Sequence, residues 1–205
     1  MIVRVRKAMS FTADYVALVH HLFASGGKIP GLSGSEMNSV KAIRQWMKKQ
    51  ISAQKIELSA RREFEGAVFE TNCFSLFTAL TLMKLSAEQN VSCLKPALSF
   101  TLSWGAGDLV SDDAAFRTVK HCLHATGMEE LPYVAVVRRD AIHTWCRIVV
   151  SRVPEDGGRA VNTWRNVDTL QRACRDAELL NGWKHEEGTW VIHEDEIIRP
   201  QERLH

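Results

Sequence analysis

Two apolar, β-branched runs, Tyr133–Val137 (YVAVV) and Thr144–Val153 (TWCRIVVSRV), are separated only by the short polar stretch from Arg138 to His143. That spacing limits the fold more than any other feature of the chain. A parallel pair needs a crossover of about a dozen residues or more, so these strands must run antiparallel as a hairpin. With helical periodicity on both sides of it, the expected class is α+β, a central antiparallel sheet flanked by helices, rather than a doubly wound parallel sheet.

The rest of the chain supplies partners for that hairpin. MIVRVRK alternates as an edge or first strand does, and Phe11 to Ala24 carries apolar residues at helical spacing with Ser10 as its cap. Ser25 to Glu36 (SGGKIPGLSGSE) is the clearest loop, expected to be mobile, and a long polar helix is expected to follow to about Arg62. From Gly66 onward strands and helices alternate: GAVFE, a helix from Ser75 to Glu88, ALSFTLSW, a helix from Asp112 to Ala125, the hairpin, and a helix from Val167 to Leu180. GTWVIHE reads as a short last strand. No repeat divides the chain, and residues 1–205 are expected to form one domain with the loop at 25–36 as an excursion.

Composition excludes several classes. No apolar run approaches the roughly 18 residues a membrane helix needs, and MIVRVRK puts charges where a signal peptide needs an apolar stretch. The five cysteines, Cys73, Cys93, Cys122, Cys146 and Cys174, are scattered without a CxxC spacing and are expected to be reduced thiols. A net charge of +2 is too close to neutral to mark a nucleic-acid protein, so such a case must rest on local charge. Lys41, Arg44, Lys48, Lys49, Lys55, Arg61 and Arg62 supply one basic stretch, while Glu186, Glu187, Glu194, Asp195 and Glu196 make the C-terminal end acidic. His121 and His124 lie three apart on a helix face beside Cys122, but no partner pair stands at metal spacing elsewhere, which favours a structural role. Of the six tryptophans, Trp104 and Trp164 are expected to be the more exposed, because they sit at turn or loop edges.

Read in order, TNC (Thr71–Cys73), the SAEQN helix end, SFTLSWGAGD, the helix ending HATGMEE, the hairpin strands YVAVVRRD and IVVSRV, and LQRACRDAELLNGW resemble the mobilisation-type conjugative relaxases of the HUH endonuclease superfamily. Ser103-Trp104-Gly105-Ala106-Gly107-Asp108 stands where that family's strand leads into a turn. Thr126-Gly127-Met128-Glu129-Glu130 stands where a helix ends in glycine and acids, and Cys174, Glu178 and Asn181-Gly182 match the terminal helix. The resemblance spans nearly the whole chain and is weakest from Gly26 to Arg62.

The resemblance implies a single-strand endonuclease that nicks a transfer origin and stays joined to the 5′ end. Such chemistry uses a histidine triad that holds a divalent cation on the scissile phosphate, and a nucleophile on the first helix, usually tyrosine. Aligned on Asp140, the first histidine position here holds Arg138, and the H-x-H pair is replaced by Trp145 and Arg147. Arginine stays protonated and an indole offers only an N–H, so neither gives a metal a lone pair. His21 occupies the nucleophile position, in Asp14-Tyr15-Val16-Ala17-Leu18-Val19-His20-His21, while Tyr15 falls at a packing position.

Strand alternation places His143, Trp145 and Arg147 on one face, with Arg138 entering from the neighbouring strand. Guanidinium groups there suit bidentate hydrogen bonds to phosphate, and an indole suits base stacking. The expected function is therefore a catalytically degenerate relaxase-like domain that binds single-stranded or hairpin DNA, or relaxosome proteins, in plasmid conjugation or mobilisation. His21, Arg138, Arg139, Trp145, Arg147, Lys48, Lys49, Arg61 and Arg62 would bind nucleic acid, with Asp140 and His143 retained as structural residues and no metal or cofactor. The alternative is an active nicking relaxase with a His21 nucleophile and magnesium or manganese. The resemblance also implies a bacterial cytoplasmic setting and a type IV secretion coupling protein as a further partner.

Overall fold

The computed structural model describes residues 1–9, 61–64, 67–140, 142–186 and 188–199. The expected opening helix with His20 and His21, the loop at 25–36 and the basic residues Lys41 to Lys55 lie outside them. The hairpin is the centre of the molecule: β5 (Tyr133–Arg139) pairs antiparallel with β6 (Thr144–Ser151), from Tyr133 opposite Val150 to Arg139 opposite Thr144. On one side β4 (Ala97–Trp104) pairs with β6, and β1 (Ile2–Met9) pairs with β4. On the other side β3 (Ala67–Thr71) joins β5, and β2 (Arg61–Phe64) closes the edge. The sheet is six-stranded and antiparallel in the order β1-β4-β6-β5-β3-β2, so the fold is α+β with helices flanking a central antiparallel sheet.

Alternation divides the sheet into two unlike faces. Phe100, Leu102 and Trp104 of β4, Tyr133, Ala135 and Val137 of β5, and Cys146, Ile148 and Val150 of β6 are buried together in the main core. Among the described residues, two helices cover that face. Ala115, Phe116, Val119 and Leu123 belong to α2 (Asp112–Ala125), and Leu170, Ala173, Cys174 and Ala177 to α3 (Asn166–Asn181). Each large side chain buried there contributes roughly 1.5–3 kcal/mol. On the opposite face α1 (Leu76–Gln89) packs against β3, β5 and β6 with Leu76, Ala79, Leu80 and Met83 buried. Helix starts follow local chemistry: the Ser75 hydroxyl accepts from Thr78 N at 3.1 Å, and the Ser111 hydroxyl accepts from Ala114 N at 3.2 Å. Gly182 ends α3 in the left-handed region at φ 63°, which glycine adopts without a Cβ penalty.

One expectation changes and another holds. Trp104 is 1% exposed rather than a surface platform, because it falls on the inward-facing phase of β4 and Trp183 closes over it edge to face at 5.8 Å. The expected short last strand is present as β7 (Val191–His193), which among the described residues pairs with β8 (Glu196–Ile198) in a separate two-stranded sheet. Trp164 is 77% exposed, as its loop position suggests. Among the described residues no helix is long and apolar enough to cross a membrane.

A buried polar knot ties β1 to α3. The Met1 ammonium donates to Glu178 Oε1, Arg175 Nη2 donates to the same oxygen at 2.6 Å and to the Met1 carbonyl, and His185 Nδ1 lies 3.0 Å from Glu178 Oε2. Glu178 and Met1 are fully buried at these groups. The sequence carried a sign of this knot. Glu178 follows Leu170 and Cys174 at the helical repeat, so a carboxylate sits on the stripe that faces the core.

The cysteines divide by burial. Cys122, Cys146 and Cys174 are buried, while Cys73 and Cys93 are partly exposed. A hydrogen bond with Cys174 and burial push the Cys122 thiol up, burial pushes Cys146 far up, and burial raises Cys73 more modestly. A thiol reagent is therefore expected to label Cys93 first and Cys73 more slowly in the native protein, and all five only in denaturant. Rapid native labelling of the buried three would show that the α2–α3 core opens readily.

Candidate nucleic-acid interface

The face opposite the main core carries the residues singled out in the hairpin. The antiparallel register lines up Ala67, Arg138, Trp145, Ser103 and Ile2 across β3, β5, β6, β4 and β1. The next row on the same face is Phe69, Val136, Arg147, Thr101 and Arg4. Arg138 and Trp145 thus stand directly opposite one another, with Arg147 two residues further along β6. The Arg147 guanidinium lies 5.4 Å from the Trp145 ring centroid, within cation–π range. Arg138, Trp145 and Arg147 are half-buried and Arg4 is exposed. Sequence reading missed Arg4, although the alternation of MIVRVRK already set arginine apart from Val3.

The other hairpin residues are placed differently. His143 lies in the turn before β6, so strand alternation does not carry it into the row with Trp145. Asp140 shapes that turn: its Oδ1 accepts from Ile142 N at 2.9 Å and from His143 N at 2.6 Å, and its own N–H donates to the His143 carbonyl. Those two backbone N–H groups hold the Asp140 carboxyl below the usual carboxylate range. The imidazole of His143 is half-exposed, with Nδ1 3.8 Å from Asp140 Oδ1. Arg139 belongs to the opposite strand phase, where its Nη1 lies 2.6 Å from Asp112 Oδ1 and its Nη2 donates to the Val110 carbonyl at 2.9 Å. It fastens the hairpin to the start of α2 and is not brought to the row of Arg138 and Trp145. Arg61 and Arg62 stand in β2 opposite Glu70 and Phe69, and His21, Lys48 and Lys49 lie outside the described residues.

The donor set does not fit a divalent cation. Positions 138, 145 and 147 present guanidinium and indole groups, which have no lone pair to coordinate with. Among the described residues no group of three His, Cys, Asp or Glu side chains converges as metal ligands. His121 Nε2 faces Asp176 at 3.5 Å and His124 Nδ1 faces Glu129 at 3.1 Å, so these two histidines serve separate carboxylates. Tyr133 is the only tyrosine among the described residues. It is 2% exposed on the main-core face, its hydroxyl 3.3 Å from Glu70 Oε1, and burial raises its pKa further from any nucleophilic use.

An antiparallel sheet with helices packed on both sides, and with Arg138, Trp145 and Arg147 aligned on one of its faces, makes this an α+β domain. The family model for the relaxase, MobA/VirD2-like, nuclease domain matches residues 46–183, and the chain belongs to that family. The matched span contains Arg138, Trp145 and Arg147 and begins after His21. No curated protein and no solved structure matches the chain.

Proposed function

We propose that this relaxase-family domain binds single-stranded or hairpin DNA in conjugation or mobilisation without cleaving it. The observation that supports the reading is the alignment of Arg138, Trp145 and Arg147 on one sheet face, at the positions where the family resemblance puts histidine ligands. A guanidinium offers fixed N–H donors to phosphate oxygens, and an indole offers a stacking surface to any base. Arg4 lies two strands from β6, about 10 Å across the sheet. It extends the cationic row far enough to meet a second phosphate. Ser103 and Thr101 lie between them on the same face and add neutral hydroxyl donors. The bacterial cytoplasm is the expected setting, with relaxosome proteins and the secretion coupling protein as expected partners.

The test combines binding with a search for chemistry. Labelled single-stranded and hairpin oligonucleotides are expected to bind with an affinity that falls as salt rises, with a slope of about −0.7 per phosphate neutralised on a single strand. With magnesium or manganese present, no protein–DNA adduct is expected to survive a denaturing gel. An adduct that disappears in His21→Ala would instead establish an active strand transferase. Absence of salt-sensitive binding to every oligonucleotide would remove DNA from the proposal.

A further inference from the structure

The α-amino group of Met1 is sealed inside the protein. Met1 is fully buried with its side chain in the main core, and Glu178, the carboxylate its ammonium meets, is fully buried as well. Glu178 Oε1 also accepts from Arg175 Nη2 at 2.6 Å, and the same Nη2 donates to the Met1 carbonyl. Amine and carbonyl of one residue are thus both tied to α3. Ile2 then pairs with Ser103 and Val3 with Leu102, so the register of β1 begins beside the residue that the knot holds.

A buried charge persists only where a partner answers it. Here the group that β1 offers to Glu178 is a main-chain ammonium, and it exists only while its nitrogen is unsubstituted. Acylation turns it into a neutral amide. The charge is lost, and a carbonyl oxygen is added at a nitrogen with no exposed surface, where an unpaired polar atom is costly. Glu178 still has Arg175 at 2.6 Å and His185 at 3.0 Å, so the knot itself survives and its hold on β1 is what goes.

We propose that the Met1 α-amine is a modification site that decides whether β1 is seated. Left free, it seats the strand; carrying a formyl or acetyl group, it does not. The class of reaction that must act first on an acylated chain is amide hydrolysis. Water adds to the acyl carbon, the C–N bond breaks, formate or acetate leaves, and the freed nitrogen takes the proton that makes it the ammonium facing Glu178. Because the seated amine has no exposed surface, this hydrolysis precedes the docking of β1. The site is independent of the DNA reading.

The test compares the full chain with and without an Nα-formyl group, the two forms told apart by mass. Formylation is expected to lower Tm by about 3–6 °C. It is also expected to speed hydrogen exchange of the β1 amides while the β5–β6 hairpin keeps its protection. In Glu178→Gln the formyl group should change neither quantity, because the carboxylate it acts through is gone. A Gly-Ser extension ahead of Met1 is the second variant, and it should loosen β1 as formylation does. Equal Tm and equal β1 exchange in the free and formylated chains would overturn the proposal. So would a formyl effect of the same size in Glu178→Gln, or an extended chain whose β1 is as protected as that of the free one.

Discussion

Alanine at both Arg138 and Arg147 is expected to weaken binding of a single-stranded oligonucleotide by about 10- to 100-fold near 0.1 M salt. The figure follows from two charge-assisted phosphate contacts at roughly 1 kcal/mol each or somewhat more. The dependence of log affinity on log salt should become shallower by about 1.4, because two fewer phosphates are neutralised on a single strand. Trp145→Ala is expected to lose a comparable amount, about 1–3 kcal/mol for a stacked base, with the salt slope unchanged. That contrast separates the roles, since a ring holds a base without displacing counterions. Because the Arg147 guanidinium rests 5.4 Å from the Trp145 centroid, the triple variant should lose less than the sum. Arg139→Ala is the control. Its guanidinium is tied to Asp112 and Val110, so it should lower stability and leave affinity unchanged. A double variant that binds with wild-type affinity and slope would move the DNA site off this face.

The parts of this arrangement that the sequence disclosed are those governed by local rules. The hairpin followed from chain length between two strands, and the helix from Asp112 to Ala125 from a serine cap and periodicity. The shared face of Arg138, Trp145 and Arg147 followed from the two-residue repeat of a strand. What stayed hidden depends on pairings distant in sequence. β1 lies beside β4 rather than beside the hairpin, which is why Arg4 joins the row of Arg147 and why no local pattern announced it. Trp104 read as exposed because a turn follows it, but burial was decided by the strand phase and by Trp183, distant in sequence. His143 read as part of the strand because alternation was extended one residue too far; the Asp140 turn claims it instead. Arg139 looked equivalent to Arg138 in sequence, and one step along a pleat sends it to a carboxylate on the other side.

Removing the carboxylate of Glu178 is expected to be the most damaging single change to stability. Glu178→Ala leaves the Met1 ammonium and the Arg175 guanidinium buried without their common anion. Breaking one side of a buried ion pair typically costs about 3–5 kcal/mol. In a domain of this size that lowers Tm on the order of 10 °C. Glu178→Gln keeps the shape and still removes the charge, so it should fall in the same direction, whereas Glu129→Ala, on the half-exposed pair with His124, should cost less than about 1 kcal/mol. The consequence reaches the cationic face. The knot anchors the start of β1 against α3 and so fixes Ile2 opposite Ser103 and Arg4 opposite Thr101. A slip of one residue would turn Arg4 to the other face of the sheet. Glu178→Ala should therefore also reduce oligonucleotide affinity at temperatures where it remains folded, and Arg4→Ala should add nothing further in that background. Full affinity in folded Glu178→Ala would show that β1 keeps its register without the knot.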